Sequence, residues 1–432
     1  MHQFRYAGQK LCCEAVPLES IAKKYGTPLY VYSQQTLTDH FQKLDQALAG
    51  LDHRICFAVK SNSNLSVLRT LARLGSGFDI VSGGELQRVI AAGGEPAKCA
   101  FAGVGKKEEE IELVLKAGVY CFNAESEPEL ERINRVAARL QKTAPVAVRV
   151  NPDVEAGTHK KITTGTYETK FGIALEQIPG VYARAARLKN LRLRGLQMHL
   201  GSQITNVKPF ERAVQKVLPL VKSLQAGYGI EFFSIGGGLG IVYRPALASG
   251  VESWWRRAEA RDILTPQRYA AGLVPLLEPL GLRILLEPGR FISGNAGALI
   301  TRVEYVKRTG TKTFVIVDAA MNDLIRPAFY DAYHEIVPLR RKAGPQIKSD
   351  VVGPICESGD FFCHDRPLPR VREGDYLALL SAGAYGSVMA SNYNTRPVAP
   401  EVLVNGRRTA LVRERQPITG IWNAEKIAAW LE

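Results

Sequence analysis

From about residue 34 to residue 290 the chain alternates short runs of β-branched and aromatic residues with longer stretches whose apolar positions recur at helical spacing. The short runs predict strands over 54–59, 78–81, 98–102, 119–122, 146–150, 193–199, 231–235 and 282–287. The stretches between them predict helices, among them 65–74, 84–92, 108–117, 127–140 and 209–225. About eight strand–helix units over roughly 250 residues is the size and rhythm of a TIM barrel. A doubly wound sheet competes, and periodicity alone does not separate the two.

After Gly289 the rhythm changes to strands without intervening helices, at 298–307, 312–318, 350–355, 375–380, 401–404 and 408–413. That pattern predicts an antiparallel β-domain. The expected division is an N-terminal segment, 1–33, whose run 29–32 joins the β-domain; an α/β barrel over 34–290; and the C-terminal β-domain over 291–432. The stretch 246–265, with Trp254 and Trp255, reads as a loop with no assigned place.

Composition narrows the class. With 432 residues, 46% of them hydrophobic, the chain is too apolar for intrinsic disorder and long enough for two cores. Lys and Arg exceed Asp and Glu by 56 to 42, a net charge of +14. Nucleic-acid binding requires such charge gathered on one face. The denser groups here, Arg184, Arg187, Lys189, Arg192 and Arg194, or Arg340, Arg341 and Lys342, are short and mixed with apolar residues, so solvated faces and no nucleic-acid partner are expected. No run of 18 apolar residues would span a bilayer, and the opening MHQFRYAGQK lacks the apolar core of a signal peptide. Seven cysteines without a CxxC pair suggest reduced thiols and a cytoplasmic protein.

The informative observation is positional: unusual polar residues fall at the C-terminal ends of the predicted barrel strands, the active face of that fold. Lys60 ends the first in FAVKSN, Asp79 lies in the second and His199 ends the sixth in MHLGSQ. Gly236, Gly237 and Gly238 follow the seventh, and Glu287 ends the eighth in LLEPGR. Lys60 is either a snorkelling structural lysine or a Schiff-base amine. The SIGGGLG run offers backbone N–H groups suited to a phosphate, or is a bare glycine turn; it is neither a dinucleotide fingerprint nor a Walker A loop. Glu287 and Arg290 in EPGR form a surface ion pair or a functional site. His199 and Cys356 would each serve equally as ordinary core residues. No metal site is expected: Cys12 and Cys13 are adjacent, His334-Glu335 lacks a second His, and Cys356 and Cys363 are too far apart for a zinc knuckle.

A lysine, a phosphate cradle, a carboxylate and a histidine able to stack on a ring, all on one barrel face, are what pyridoxal phosphate requires. The sequence resembles the diaminopimelate decarboxylases, of the alanine-racemase-like class of pyridoxal-phosphate enzymes. The likeness runs nearly end to end: PLYVYS, FAVKSN, GFDIVSGGEL, THKKITTG followed by KFGI, HLGSQI, GGGLGI, EPGRFI, NDLIRPAFYDA, GPICESGD and GAYGSVMASNYNTRP. Single motifs here are weak, whereas their order and spacing together are specific.

The resemblance implies alanine racemase-like architecture and decarboxylation of meso-diaminopimelate to L-lysine and CO2, the last step of lysine biosynthesis. Lys60 would hold pyridoxal 5'-phosphate, beside Asp79. Glu287 would bond the pyridine nitrogen, where racemases of this fold use Arg, and His199 would stack on the ring. Ser202, Gly236 to Gly238, the backbone of Gly289 and Arg290, and Tyr385 would hold the phosphate. The site would close across a homodimer, with Cys356 and Glu357 entering from the partner chain. Arg290, Arg326, Tyr330, Glu357 and Tyr385 would bind substrate: Arg326, Tyr330 and Arg290 as a carboxylate clamp, Glu357 as ammonium acceptor. Rival readings are a related decarboxylase for carboxynorspermidine, ornithine or arginine, and a non-catalytic regulatory homologue. The segment 243–266, longer than usual in the family, reads as a surface loop.

Overall fold

Parallel strands close into a ring in chain order: His53–Ala58, Gly77–Ile80, Cys99–Phe101, Cys121–Ala124, Ala144–Asn151, Leu191–Gln197, Phe232–Ser234 and Arg283–Leu286, the last pairing with the first. Pairing of Phe122 with Val146 and of Asn123 with Ala147 completes the ring, which makes the sheet a barrel and excludes the doubly wound alternative. A short strand, Ile173–Ala174, pairs in parallel with the C-terminal end of Ala144–Asn151. The computed structural model describes residues 1–155 and 170–431, so THKKITTG, 158–165, lies outside the described residues.

Burial explains why these segments are strands. Cys56, Ala100, Tyr120, Cys121, Ala147, Phe232 and Leu285 converge from six strands and the approach to one of them into a single apolar cluster. The helices follow from equally local chemistry. In Glu127–Arg139, Ser126 Oγ accepts from the Glu129 N–H at 3.3 Å, Pro128 occupies the first turn, and Leu130, Ile133, Val136 and Ala137 are buried. Those positions form one stripe at helical spacing, with a side-chain cap at its start. Helices that the prediction did not name include Leu18–Tyr25, Gln34–Ala47, Ile178–Ala185 and Pro266–Leu277.

The chain divides into two compact units. Leu37–Ile241 with Glu259–Ile292 holds the barrel; Met1–Thr36, Val242–Ala258 and Ser293–Glu432 form the other. In the second unit the long strand Gly297–Arg308 pairs antiparallel with Leu29–Ser33, Thr313–Val317 and Tyr376–Leu379. The sheet departs from a purely antiparallel one at two pairings, Glu401–Asn405 with Leu29–Ser33 and Thr313–Val317 with Gln346–Val352, both parallel. Strands Ile336–Pro338 and Phe361–Pro369, and the three short strands over residues 4 to 17, have no counterpart in the sequence reading. Prolines at 338, 367 and 369 mask the strand pattern there.

The segment 243–266 is more than a surface loop. Ala246 is fully buried in the β-unit's core with Phe4, Leu11, Leu339 and Val402, and Trp254 is 2% exposed. The basic groups are largely paired: Arg184 with Glu127, Arg192 and Arg194 with Glu231, Arg340 with Glu19 and Lys342 with Asp375. Among the described residues no helix is long and apolar enough to cross a membrane.

Candidate active site

The first barrel strand ends at Ala58 and the chain tightens into a single helical turn, Val59–Ser61, which carries Lys60 at the barrel rim. Lys60 Nζ lies 2.7 Å from Asp79 Oδ2. Asp79 is 1% exposed, and its other oxygen, Oδ1, has no hydrogen-bond partner among the described residues. A buried carboxylate with one unsatisfied oxygen is costly unless a further donor arrives. Lys106, which unlike Lys60 is buried, offers a useful contrast. Lys106 Nζ donates to Glu129 Oε1 at 2.5 Å, Gly103 O at 2.7 Å and Asn123 O at 2.8 Å. Its three donors are thereby used in structure.

Glu287 follows the eighth strand and is 5% exposed. Its Oε1 accepts from Ser234 Oγ at 2.7 Å and Asn123 Nδ2 at 3.5 Å, and its Oε2 from Gln197 Nε2 at 2.9 Å. Four strand ends thus converge on one carboxyl group. Burial and the charge of Asp79 push its pKa up to about 7, against the pull of those hydrogen bonds. It is therefore no surface ion-pair residue.

His199 ends the sixth strand region and accepts from the Gly237 N–H through Nδ1 at 3.0 Å. That bond requires an unprotonated Nδ1. Burial, then the charges of Arg149 and Lys60, hold its pKa well below the usual value, so the ring stays neutral. The glycine turn is what allows this approach. Gly236 and Gly238 have φ of +70° and +105°, and a Cβ on Gly237 would lie 2.2 Å from the Glu287 carbonyl oxygen. The Gly236 N–H is also engaged, by Ser234 Oγ at 3.3 Å. Arg290, 7% exposed, donates to Ser202 Oγ at 2.9 Å from Nη2, and Gly289 packs against Ser61.

Lys60, Asp79, His199, Ser202, Gly236 to Gly238, Glu287, Gly289 and Arg290 therefore share the C-terminal face of one barrel. The sequence reading missed four residues there. Asn123, Gln197 and Ser234 hold Glu287. Arg149, 6% exposed, donates from Nη1 to Glu125 at 3.0 and 3.1 Å, and its guanidinium lies over Phe171 of KFGI at 4.8 Å from the ring centroid. Each of the four lies at or near a strand's C-terminal end, which is the signal that would have found them.

The other expected residues lie in the β-unit. Arg326, 5% exposed, opens the short helix Arg326–Tyr330, with Pro327 in its first turn. Tyr385 has a φ of +55°, a strained value for a non-glycine residue. Cys356 and Glu357 are exposed on this chain, and hydrogen bonds from the Gly359 N–H and Ser358 Oγ hold Glu357 below its ordinary carboxylate value. All seven cysteines are free, six of them buried. Among the described residues no group of three metal-ligating side chains is present.

Comparison with known proteins gives consistent results. The profile of the family described as "Pyridoxal-dependent decarboxylase, pyridoxal binding domain" matches residues 34–294. The diaminopimelate decarboxylase of Vibrio cholerae is 49% identical over 430 residues, covering 99% of both chains. That of Pseudomonas aeruginosa is 49% identical over 432 residues, with the same coverage. A crystal structure of diaminopimelate decarboxylase from Helicobacter pylori complexed with L-lysine is 38% identical with a TM-score of 0.87, covering 94% of this chain and 98% of that one. One from M. jannaschii, in co-complex with L-lysine, is 33% identical with a TM-score of 0.91, covering 100% and 99%.

Proposed function

The chain belongs to the diaminopimelate decarboxylases, within the pyridoxal-dependent decarboxylase family, and we propose that the residues gathered at its barrel mouth carry the reaction. It is a carboxy-lyase that converts meso-diaminopimelate to L-lysine and CO2, with pyridoxal phosphate as cofactor. The observation that carries the assignment of roles is the coexistence of two features on one rim: the Lys60–Asp79 pair and the buried, four-strand cradle of Glu287.

The residues fit that cofactor. Lys60 supplies an amine and Asp79 holds it in place, with one buried oxygen left to accept a further donor. His199, neutral and locked by Gly237, offers an uncharged ring face. Ser202 and Arg290 provide hydroxyl and guanidinium donors for a phosphate, beside a glycine turn that lets the ligand approach the backbone. When bound, pyridoxal phosphate supplies the electron sink that makes loss of CO2 feasible. Glu287, buried and with its pKa pushed up to about 7, would hold a proton between its carboxyl group and the ring nitrogen of the bound cofactor. The surrounding Ser234, Asn123 and Gln197 keep that carboxylate in place and exclude water from it.

Substrate choice depends on the far end of the ligand, where diaminopimelate carries a second carboxylate and ammonium. Arg326 and Tyr330, four residues apart on one helical turn, are proposed to bind that carboxylate, and Glu357 the ammonium. Burial of Arg326 supports a role other than a surface bridge to Asp323 or Asp331. Arg326→Ala is expected to lower kcat/KM for diaminopimelate by the equivalent of about 2–4 kcal/mol, because it also leaves a substrate carboxylate unpaired. Substrates without a distal carboxylate should be nearly indifferent. A loss below about threefold, roughly 0.7 kcal/mol, would remove Arg326 from the clamp.

A homodimer with shared sites and a cytoplasmic location are both part of the proposal, the second supported by the seven free thiols. Support for sharing comes from Cys356 and Glu357, both exposed on the single chain and both in the β-unit. Inactive Lys60→Ala chains mixed with inactive Cys356→Ala chains should then recover up to about a quarter of wild-type activity. Half of randomly reassorted dimers are mixed, and each mixed dimer keeps one intact site of two. Confirmed chain exchange without recovery would place Cys356 in its own chain's site.

A further inference from the structure

His334 is wholly buried in the β-unit, four residues beyond the end of the helix that carries Arg326. Its Nδ1 lies 2.9 Å from the Leu380 carbonyl oxygen, and its Nε2 lies 3.0 Å from Arg326 Nη1. The chemistry of the two partners fixes the tautomer. A carbonyl only accepts, so Nδ1 carries the hydrogen; a guanidinium only donates, so Nε2 presents a lone pair. The ring is thereby a neutral acceptor held on both sides. Tyr243 completes the mount: its ring lies under the Arg326 guanidinium at 5.1 Å from the centroid and meets His334 edge-on at 5.6 Å and 87°. The main chain of His334 is tied down as well, since its carbonyl accepts from Arg366, whose guanidinium lies over Tyr333 at 4.1 Å.

A guanidinium has five N–H donors in a rigid planar fork. Engaging one at Nη1, with the plane set by an aromatic face, fixes which edge of the fork can meet a ligand. A neutral ring also orients the cation without cancelling its charge, as a carboxylate in the same place would. We propose that His334 is a positioning residue for specificity: it aims Arg326 at the distal carboxylate of the substrate and so selects ligands that carry one. The inference rests on the reading of Arg326 as the carboxylate clamp.

The product L-lysine keeps the distal carboxylate that 1,5-diaminopentane lacks, so the pair isolates this contact. In the holoenzyme, His334→Phe keeps the ring volume and removes both hydrogen bonds. It should raise KM for diaminopimelate about 10- to 100-fold with kcat changed less than about threefold, because a contact made equally in ground and transition states acts on KM. Inhibition by L-lysine should weaken by the same factor and inhibition by 1,5-diaminopentane should not change. His334→Gln, which retains an acceptor for Arg326, should recover most of the loss. Equal weakening of both inhibitors, or a glutamine variant as impaired as the phenylalanine one, would show that the ring only fills space and would overturn the proposal.

Arg326→Ala separates the inference from the reading beneath it. If that variant leaves the lysine-to-diaminopentane ratio unchanged, the clamp assignment fails; if it collapses the ratio while His334→Phe does not, the clamp stands and the positioning role fails. Adding His334→Phe to Arg326→Ala should cost nothing further, since the two act through one contact. Should the phenylalanine variant not load cofactor, His334→Met, also without ring nitrogens, takes its place in each comparison.

Discussion

Replacing Lys60 with alanine is expected to abolish turnover and the visible absorbance of bound cofactor together, with a loss of at least about 10³-fold in kcat. The lysine stands at the rim of the barrel with its side chain 40% exposed, within 2.7 Å of a carboxylate that is itself 1% exposed. Lys106, by contrast, is enclosed by three acceptors and has no donor to spare. Removing Lys60 also leaves Asp79 buried beside no cation, so some loss of stability is expected in the single variant. The double variant Lys60→Ala, Asp79→Asn removes that charge. It should regain stability without regaining turnover, which separates chemistry from folding. Normal absorbance and activity in Lys60→Ala would end the assignment of Lys60 as the cofactor-binding amine.

The barrel was legible because its short apolar strand runs alternate with longer segments of helical period. Each predicted barrel strand overlaps an observed one, since interior positions such as Ala100, Ala147 and Phe232 must be apolar or small where strands meet inside a ring. Lys60, Asp79, His199 and Glu287 stood out against that background for the same reason. Polar residues at the ends of apolar strands are conspicuous. Asn123, Gln197 and Ser234 were not conspicuous, although they hold Glu287, because an amide or hydroxyl at a strand end has many ordinary uses. Their role appears only when four strands converge on one carboxylate.

The β-unit was less legible. Strand Phe361–Pro369 contains Pro367 and Pro369, and Ile336–Pro338 is too short for an alternating pattern to register. The segment 246–265 hides its burial in a sequence without helical or strand period, yet Ala246 and Trp254 are core residues. His334 illustrates the limit most clearly. Beside Glu335 it suggests an incomplete metal motif, and nothing local discloses that its partners are a carbonyl 46 positions later and a guanidinium 8 positions earlier.

Glu287→Gln tests the electrostatic core of the mechanism. The variant should still load cofactor, because the amide keeps the shape of the carboxyl and its cradle can adapt. Ser234 can still donate to the remaining oxygen, and Gln197, whose Oε1 has no partner among the described residues, can turn its amide to accept from the new NH2 group. The carboxylate's charge is lost, however, and with it the group that stabilises a protonated ring nitrogen as negative charge develops on the substrate. Removing one preorganised electrostatic partner of this kind costs about 2–4 kcal/mol, a fall of roughly 30- to 900-fold in kcat. An unchanged kcat would show that ring protonation is not controlled here. A second measurement needs no turnover. In the cofactor-free protein the Glu287 pKa is raised from 4.5 to about 7, so the folded state holds this proton more tightly than the unfolded chain does. The stabilisation from that proton is complete below about pH 4.5 and is lost as pH rises through 7, where the anion must stay buried. Wild-type apoenzyme should therefore lose on the order of 1–3 kcal/mol between pH 5 and pH 8 from this group. Glutamine does not titrate, so the variant's thermal midpoint should fall less over the same interval. If the two pH profiles run parallel, Glu287 is already ionised at pH 5, and the proton it is proposed to share with the ring must come from elsewhere.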